Sequence, residues 1–213
     1  MCFDTKKFSK RLKTSYMGRS LKYFDNIDST NMQALRIFHK KDIESGSLLV
    51  AKKQHNGIGR FGREWLSPQG GLWFTLLVKK DKKIKSIERV NLIMANSIVY
   101  ALEKNTECRF MVKWPNDIYL NGLKIGGILS EHVFSRQVSA LIVGVGLNIN
   151  NSRDTLGRYT GTATSLFTET KKNLRIEILL ADILNCFEKD FEHFTDTGDM
   201  QATIRYIEDR FLL

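Results

Sequence analysis

Cysteine and histidine are scarce in this chain, and each scarcity closes off a class of protein. The three cysteines, Cys2, Cys108 and Cys186, are odd in number and far apart. They make neither a C-x-x-C pair nor a disulfide framework, and read as isolated thiols. His39, His55, His132 and His193 show no H-x-x-x-H spacing, which argues against a structural zinc site. No apolar run reaches the roughly 18 residues that a membrane span requires, and no apolar signal-peptide core follows Met1. The expected compartment is therefore the cytoplasm, with no membrane partner. Repeats, low-complexity stretches and interdomain linkers are also lacking. A chain of 213 residues, 42% hydrophobic, fits one large domain with short appendages.

Acidic residues are nearly missing from the start of the chain. Residues 1–22 hold Lys6, Lys7, Lys10, Arg11, Lys13, Arg19 and Lys22 against Asp4 alone, a net of +6 out of the chain's +10. The charge excess thus sits on an N-terminal basic arm, residues 1–20, expected to be solvated. Phe3, Phe8 and Leu12 could form one apolar face of that arm.

The remainder alternates between strand and helix patterns. Leu21 to Ile27, Ser47 to Lys53, Leu72 to Val78 and Ser139 to Gly146 read as strands. Asp28, Ser29 and Thr30 are helix N-cap types, and a helix is expected from there to Lys40. Apolar residues recur at helical spacing over Ile87 to Lys104 and Arg175 to Phe194. A last helix covers Met200 to Phe211. Asp117–Leu120 and Leu123–Val133 flank Asn121-Gly122, a pair suited to a type I′ turn because both central residues need positive φ. The pattern is α+β: a mixed, mainly antiparallel sheet with helices packed on one face.

Three segments carry chemistry. Residues 54–71 hold five of the fifteen glycines, with Arg60 and Arg63 between them. Glycine lets backbone approach a ligand closely, its N–H groups can cradle an anion, and arginine suits phosphate or carboxylate. A flexible surface loop with solvated arginines is the competing reading. The second segment is Lys113-Trp114-Pro115-Asn116-Asp117 with the hairpin that follows. In a two-residue hairpin Tyr119 pairs with Lys124 and Asp117 with Gly126, so Asp117, Tyr119 and Lys124 share one face and Ile118, Leu120, Leu123 and Ile125 the other. Gly126-Gly127 marks close ligand approach. The third segment, Gly144 to Asn150, ends a strand with two glycines and offers the Asn148 amide.

In order, the chain carries Q-x-x-G-x-G-R-x-G-R-x-W-x-S-P-x-G-G, KWPND, K-x-x-G-I-L-x-E and G-x-G-x-N. Together with Ser29-Thr30-Asn31 and Ala163-Thr164-Ser165-Leu166, these closely resemble the biotin protein ligases over about residues 21–213. The resemblance implies a fold like that of class II aminoacyl-tRNA synthetases and biotin synthetases. It also implies a catalytic domain at 21–195 and a C-terminal helix, 196–213, as the stub of a further domain. The implied reaction joins biotin to ATP as biotinyl-5′-AMP, then passes biotin to a lysine of a biotin carboxyl carrier protein. By this likeness Arg60, Lys124 and Asp117 are catalytic. Ser29, Thr30, Asn31, Gln54, Gly57, Gly59, Arg60, Lys124, Gly127 and Gly146 bind biotin. Arg60, Arg63, Trp65, Asn116, Asp117 and Asn148 serve ATP. Magnesium is implied with the triphosphate, with Asp117 as its ligand. The polar loop 150–162 is expected to close over adenine, hinged at Gly157 and Gly161.

Two departures stand out. Ile58 occupies a position where the family usually has arginine. The N-terminus lacks the winged-helix pattern of repressor-type members, so no DNA binding is expected. The oligomeric expectation is a monomer or homodimer. The sibling alternative is a lipoate or octanoyl transferase; a basic nucleic-acid-binding module is a third. Deleting residues 1–20 is expected to spare ligase activity.

Overall fold

The computed structural model describes residues 3–40, 44–79, 86–135, 138–159 and 161–212. Cys2 and Thr160 fall outside them. Strand Leu72–Lys79 shows how the sheet is built. Leu72, Phe74, Leu76 and Val78 point to one face and Trp73, Thr75 and Leu77 to the other, and all seven are buried. Both faces of this strand are therefore covered, which explains its near-continuous apolar sequence.

Seven strands form one sheet: β1 (Leu21–Phe24), β2 (Ser47–Ala51), β3 (Leu72–Lys79), β4 (Met111–Lys113), β5 (Asp117–Leu120), β6 (Leu123–Phe134) and β7 (Ser139–Leu147). Their spatial order is β1-β2-β3-β7-β6-β5-β4. Only β1 and β2 run parallel; the other pairs are antiparallel. This is the mixed, mainly antiparallel sheet expected. β4 is one strand the sequence reading missed; at three residues it is too short to show a period.

The helices are α1 (Thr5–Arg11), α2 (Thr30–His39), α3 (Ile87–Asn105), α4 (Leu166–Thr170), α5 (Ile176–Thr197) and α6 (Gln201–Ile207). The large core lies on one face, where α3 and α5 bury Ile93, Ile98, Leu180, Ile183, Phe187 and Phe191 against β3, β7 and β6. The single helical layer expected is incomplete, because α2 lies on the opposite face. There Ala34 and Phe38 pack on Leu49, Leu77, Ala140 and Ile142. α2 covers only one end of that face, and the remainder is left for the glycine-rich loop. No helix among the described residues is long and apolar enough to cross a membrane.

The N-terminal arm is not solvated. Its described part folds as α1, which lies on α5, with Phe8, Leu12 and Met17 in the main core. The apolar face of Phe3, Phe8 and Leu12 is spent on this packing, while Lys6, Lys7, Lys10 and Lys13 stay exposed. Two buried carboxylates on α5 fasten it. Glu188 accepts the backbone N–H groups of Ser15, Tyr16 and Met17. Asp182 accepts from Arg11 Nε and Nη2 at 2.9 and 3.0 Å and lies 3.3 Å from Lys104 Nζ. Burial alone would push the Asp182 carboxyl up, but bonds from Arg11 and Asn105 and the Lys104 charge hold it below its ordinary value.

Phe8→Ala should lower stability by about 3–5 kcal/mol in urea unfolding, the usual cost of emptying a buried aromatic site. Deleting residues 1–20 should destabilise the domain and, contrary to the sequence expectation, cost it activity. The depressed Asp182 group contributes stability above its unfolded value near 3.8 and loses it as pH falls through the lower folded value. Asp182→Asn should therefore destabilise at neutral pH, with the deficit shrinking below about pH 4 in thermal melts across pH.

Candidate functional site

The face that α2 leaves open is floored by glycine. Across the sheet, partner residues run Lys113 (β4), Asp117 (β5), Gly127 (β6), Gly146 (β7) and Trp73 (β3). Directly paired residues share a face, so this row points to one side. Its two central members have no side chain, and a trough results. Trp65 lies in it: a Cβ added to Gly146 would fall 2.4 Å from Trp65 Nε1.

The register of this row corrects the sequence reading. Tyr119 pairs with Lys124 as expected, but Ile118 pairs with Gly126, so Asp117 faces Gly127 rather than Gly126. The irregularity is a bulge, with Ile125 the extra residue on β6. Gly126 turns towards the core, where a Cβ would meet Leu147 Cδ2 at 2.3 Å. Ile125 is likewise buried in the core. Two successive residues thus face inward, and Lys124 and Gly127 share the trough side. The turn itself is as expected, with φ of 51° at Asn121 and 77° at Gly122.

Residues 54–70 fold back over the trough as an irregular hairpin. Gln54 bridges Ser67 and Ile58 bridges Glu64; Gly59 N donates to Arg63 O (2.7 Å) and Trp65 N to Gly57 O (2.9 Å). Trp73 is buried, with Nε1 donating to Pro68 O. The loop, the trough and α2 enclose a cavity of ≈ 510 Å³.

One end of the cavity is a polar dead end. Ser29, Thr30 and Asn31 line it at the start of α2, and all three are buried. Ser29 is the N-cap of α2. Gln54 Oε1 accepts from Thr30 N at 2.8 Å and Thr30 Oγ1 at 3.0 Å, while its Nε2 donates to Ser67 Oγ at 2.7 Å. Thr75 Oγ1 donates to Asn31 Oδ1 (2.6 Å) and sits 2.8 Å from Thr30 Oγ1. Gly144 makes room, since its Cβ would collide with Asn31 Oδ1 at 2.0 Å.

The middle and mouth are cationic. Arg60, Arg63, Lys113 and Lys124 line the cavity, against the carboxylates Glu64 and Asp117. Lys124 Nζ is 2.7 Å from Asp117 Oδ1 and 5.2 Å from the centre of the Trp65 ring. Arg60 Nη1 donates to Asn116 Oδ1 at 2.9 Å, and Asn116 Nδ2 to Ile128 O at 3.1 Å. Burial and the Asp117 charge push the Tyr119 phenol up. Among the described residues, three buried polar atoms here, Trp65 Nε1, Asn148 Oδ1 and the ion-paired Asp117 Oδ1, have no hydrogen-bond partner, although Asn148 Nδ2 donates to Thr164 O. A buried donor and acceptor left open beside a cavity are offered to a ligand.

Every sequence-derived site residue but one lines this cavity: Gly59, Arg60, Arg63 and Trp65 from the loop, Asn116, Asp117, Lys124 and Gly127 from the hairpin region, and Gly146 from β7 with Asn148 just beyond it, beside the α2 group and Gln54. Gly57 is the exception. A Cβ there would lie 2.4 Å from Trp65 O and 2.6 Å from Ser67 Oγ, so this glycine serves the packing of the loop on itself. Sequence reasoning missed Thr75 and gave Gly144 only a general role in close backbone approach. Alternation along β3 places Thr75 on the Trp73 side, and a lone hydroxyl in so apolar a strand was the available signal. The polar loop holds a 3-10 segment, Arg153–Tyr159, and buries Leu156 into the cavity lining. Its successor pairs with the catalytic candidate: Lys124 N donates to Thr162 O and Thr164 N to Lys124 O. Among the described residues, no group of three or more His, Cys, Asp or Glu could hold a metal ion.

Fold and cavity define an α+β domain with a cavity on the open face of its sheet, beneath a loop. The model of the biotin/lipoate A/B protein ligase family matches residues 23–148, and the chain belongs to that family. The biotin protein ligase of Aquifex aeolicus, solved in complex with biotin and ATP, superposes with a TM-score of 0.79 at 31% identity, covering 91% of this chain and 79% of that one. The bifunctional ligase/repressor BirA of Bacillus subtilis is 34% identical over 190 residues, which cover 88% of this chain and 58% of that protein. The human biotin–protein ligase is 28% identical over 211 residues, 92% of this chain and 28% of its own length. The chain thus spans little more than half of the bacterial relative and under a third of the human one.

Gly146→Ala tests the geometry. The added methyl should expel Trp65 from the trough, shift its fluorescence to the red and weaken ligand binding; a Trp65→Phe control identifies the signal. Emission unchanged from the parent would contradict the close contact described.

Proposed function

We propose that this chain is an ATP-dependent biotin–protein ligase, and that one cavity carries both half-reactions. The supporting observation is the pairing of a polar dead end with a cationic middle. Biotin presents a ureido ring with one carbonyl and two N–H groups, which Ser29, Thr30, Asn31 and Gln54 complement. Lipoate's dithiolane offers no such groups, so it would leave these buried partners unmatched, at about 1–3 kcal/mol each. That favours biotin over the sibling substrate.

In the first step a biotin carboxylate oxygen attacks the α-phosphorus of ATP, and the bond to pyrophosphate breaks. Two unit negative charges about 4 Å apart repel by roughly 4 kcal/mol at an effective dielectric of 20. Lys124 and Arg60 offset that repulsion, and catalysis rests on fixed charge and position rather than on an enzyme nucleophile. Lys124 has three donors, so it can keep Asp117 while contacting the incoming carboxylate. In the second step the neutral amine of an acceptor lysine attacks the acyl carbon, the bond to AMP breaks, and the amine loses a proton to water. Biotin carboxyl carrier domains are the acceptor class, and the cytoplasm the place of action.

Trp65 Nε1 and Asn148 Oδ1 are free to meet the nucleotide, and Arg63 lies at the loop tip. Segment 150–162 closes over adenine, with Leu156 as its apolar contact. Magnesium enters with the triphosphate, where it neutralises phosphate charge. One carboxylate, Asp117, fits a cation that keeps mostly water and phosphate ligands, since the Asn116 amide is taken by Arg60 and Ile128.

Biotin-dependent exchange of labelled pyrophosphate into ATP tests the reading. The chain should exchange with biotin and not with lipoate or octanoate. Arg60→Ala and Lys124→Ala should each lower exchange by about 10²–10³. Undiminished exchange in both variants would remove the mechanism.

A further inference from the structure

Resting on the ligase reading, we infer that Glu169 is a positioning residue: from outside the cavity it braces the short segment that holds the Lys124 backbone in place.

Lys124 stands where the sheet runs out. On one side its partner is Tyr119 of β5. On the other, β7 ends at Leu147 opposite Gly126, so it does not reach the edge of β6 at Lys124. Residues 162–164 take that edge instead. Lys124 N donates to Thr162 O at 3.2 Å, and Thr164 N to Lys124 O at 2.9 Å. Ala163 forms an isolated parallel bridge with Lys124. The backbone under the catalytic ammonium is thus fixed by a stretch that belongs to no strand of the sheet.

Glu169 of α4 supplies the brace. Its Oε1 accepts from Thr164 Oγ1 at 2.6 Å, and its Oε2 from Asn121 Nδ2 at 2.7 Å. One carboxylate therefore ties the segment beside Lys124 to the turn that leads into β6. The bonds from Thr164 and Asn121 hold the Glu169 carboxyl below its ordinary value, which keeps it ionised as an acceptor. α4 is itself anchored. Ser165 caps it and donates to Asn151 O at 2.6 Å, and Leu166 is buried in the main core. Glu169 does not line the cavity, so its influence passes through Thr164 and Asn121 to the position of Lys124. A catalytic group misplaced by about 1 Å can cost on the order of 10²-fold in rate, and a partial loosening costs less.

Glu169→Ala should lower biotin-dependent pyrophosphate exchange by about 10-fold, in kcat rather than in the KM for biotin. It should also speed hydrogen exchange at the Lys124 and Thr164 amides. Glu169→Gln should stay within about twofold of the parent, because its Oε1 can accept from Asn121 while its Nε2 donates to the Thr164 hydroxyl. In a Lys124→Ala background, Glu169→Ala should cost little further exchange, whereas a merely structural loss would cost the same in both backgrounds. Parental exchange in Glu169→Ala, an equal loss in Glu169→Gln, or additive losses in the double variant would overturn the assignment. The amides are read without turnover, which separates the two readings. No exchange by the unaltered chain overturns the ligase reading; unchanged amide protection in Glu169→Ala overturns the brace.

Discussion

A single bulge in the sheet decides what the cavity contains. Without the extra residue Ile125, strict alternation would keep Lys124 on the trough side but send Gly127 to the core and Gly126 to the floor. The register of β6 against β7 would then slip by one, and the glycine row of Gly127 and Gly146 would be broken. With the bulge, Lys124 bonds Asp117 at 2.7 Å across a floor of bare backbone. Trp65 occupies the space above Gly146, and residues 162–164 bracket the Lys124 backbone.

The Lys124–Asp117 pair is partly buried, and its value lies in position rather than in stability. Exposed pairs contribute little, and buried ones lose in desolvation much of what they gain. A partly enclosed pair keeps the ammonium aimed into the cavity before a ligand arrives. The same logic applies to Arg60, held by the neutral amide of Asn116. No ion pair fixes it among the described residues, although Glu88 lies near enough to feel its charge, so the guanidinium is available to an anion. The polar dead end is organised differently, by hydrogen bonds among neutral groups. The two hydroxyls of Thr30 and Thr75 have fewer hydrogens than contacts to fill, a network that a ligand with its own donors can complete.

The far face supplies the rigidity. α3 and α5 form a dense layer under the strands that carry the site, and α1 closes that layer through Phe8 and the carboxylates of α5. The basic excess of the N-terminus is therefore a by-product of solvating the outside of a packed helix.

Much of this was legible in the sequence. Period-two and period-3.6 patterns located most elements, because burial on one side imposes them locally. The Asn-Gly turn and the glycine–arginine loop announced themselves through backbone conformations that few other residues tolerate. Ser29, Gln54, Arg60, Asp117 and Lys124 were identifiable as candidates by residue type and order. The sequence could not say that Asp117 faces Gly127, since a bulge leaves no trace in a hydrophobic pattern when the extra residue is itself apolar. Nor could it say that Gly57 packs the loop while Gly146 makes room for Trp65: glycine looks the same in both uses. The fate of the N-terminal arm was hidden as well. Phe8 and Leu12 are too few to outweigh seven charges in composition, yet in space the lysines point outward, Arg11 turns in to Asp182, and two carboxylates on a helix over 170 residues away in the chain hold the segment down. Local chemistry fixed which residues were capable of the task; long-range pairing, which depends on contacts far apart in sequence, decided which of them meet.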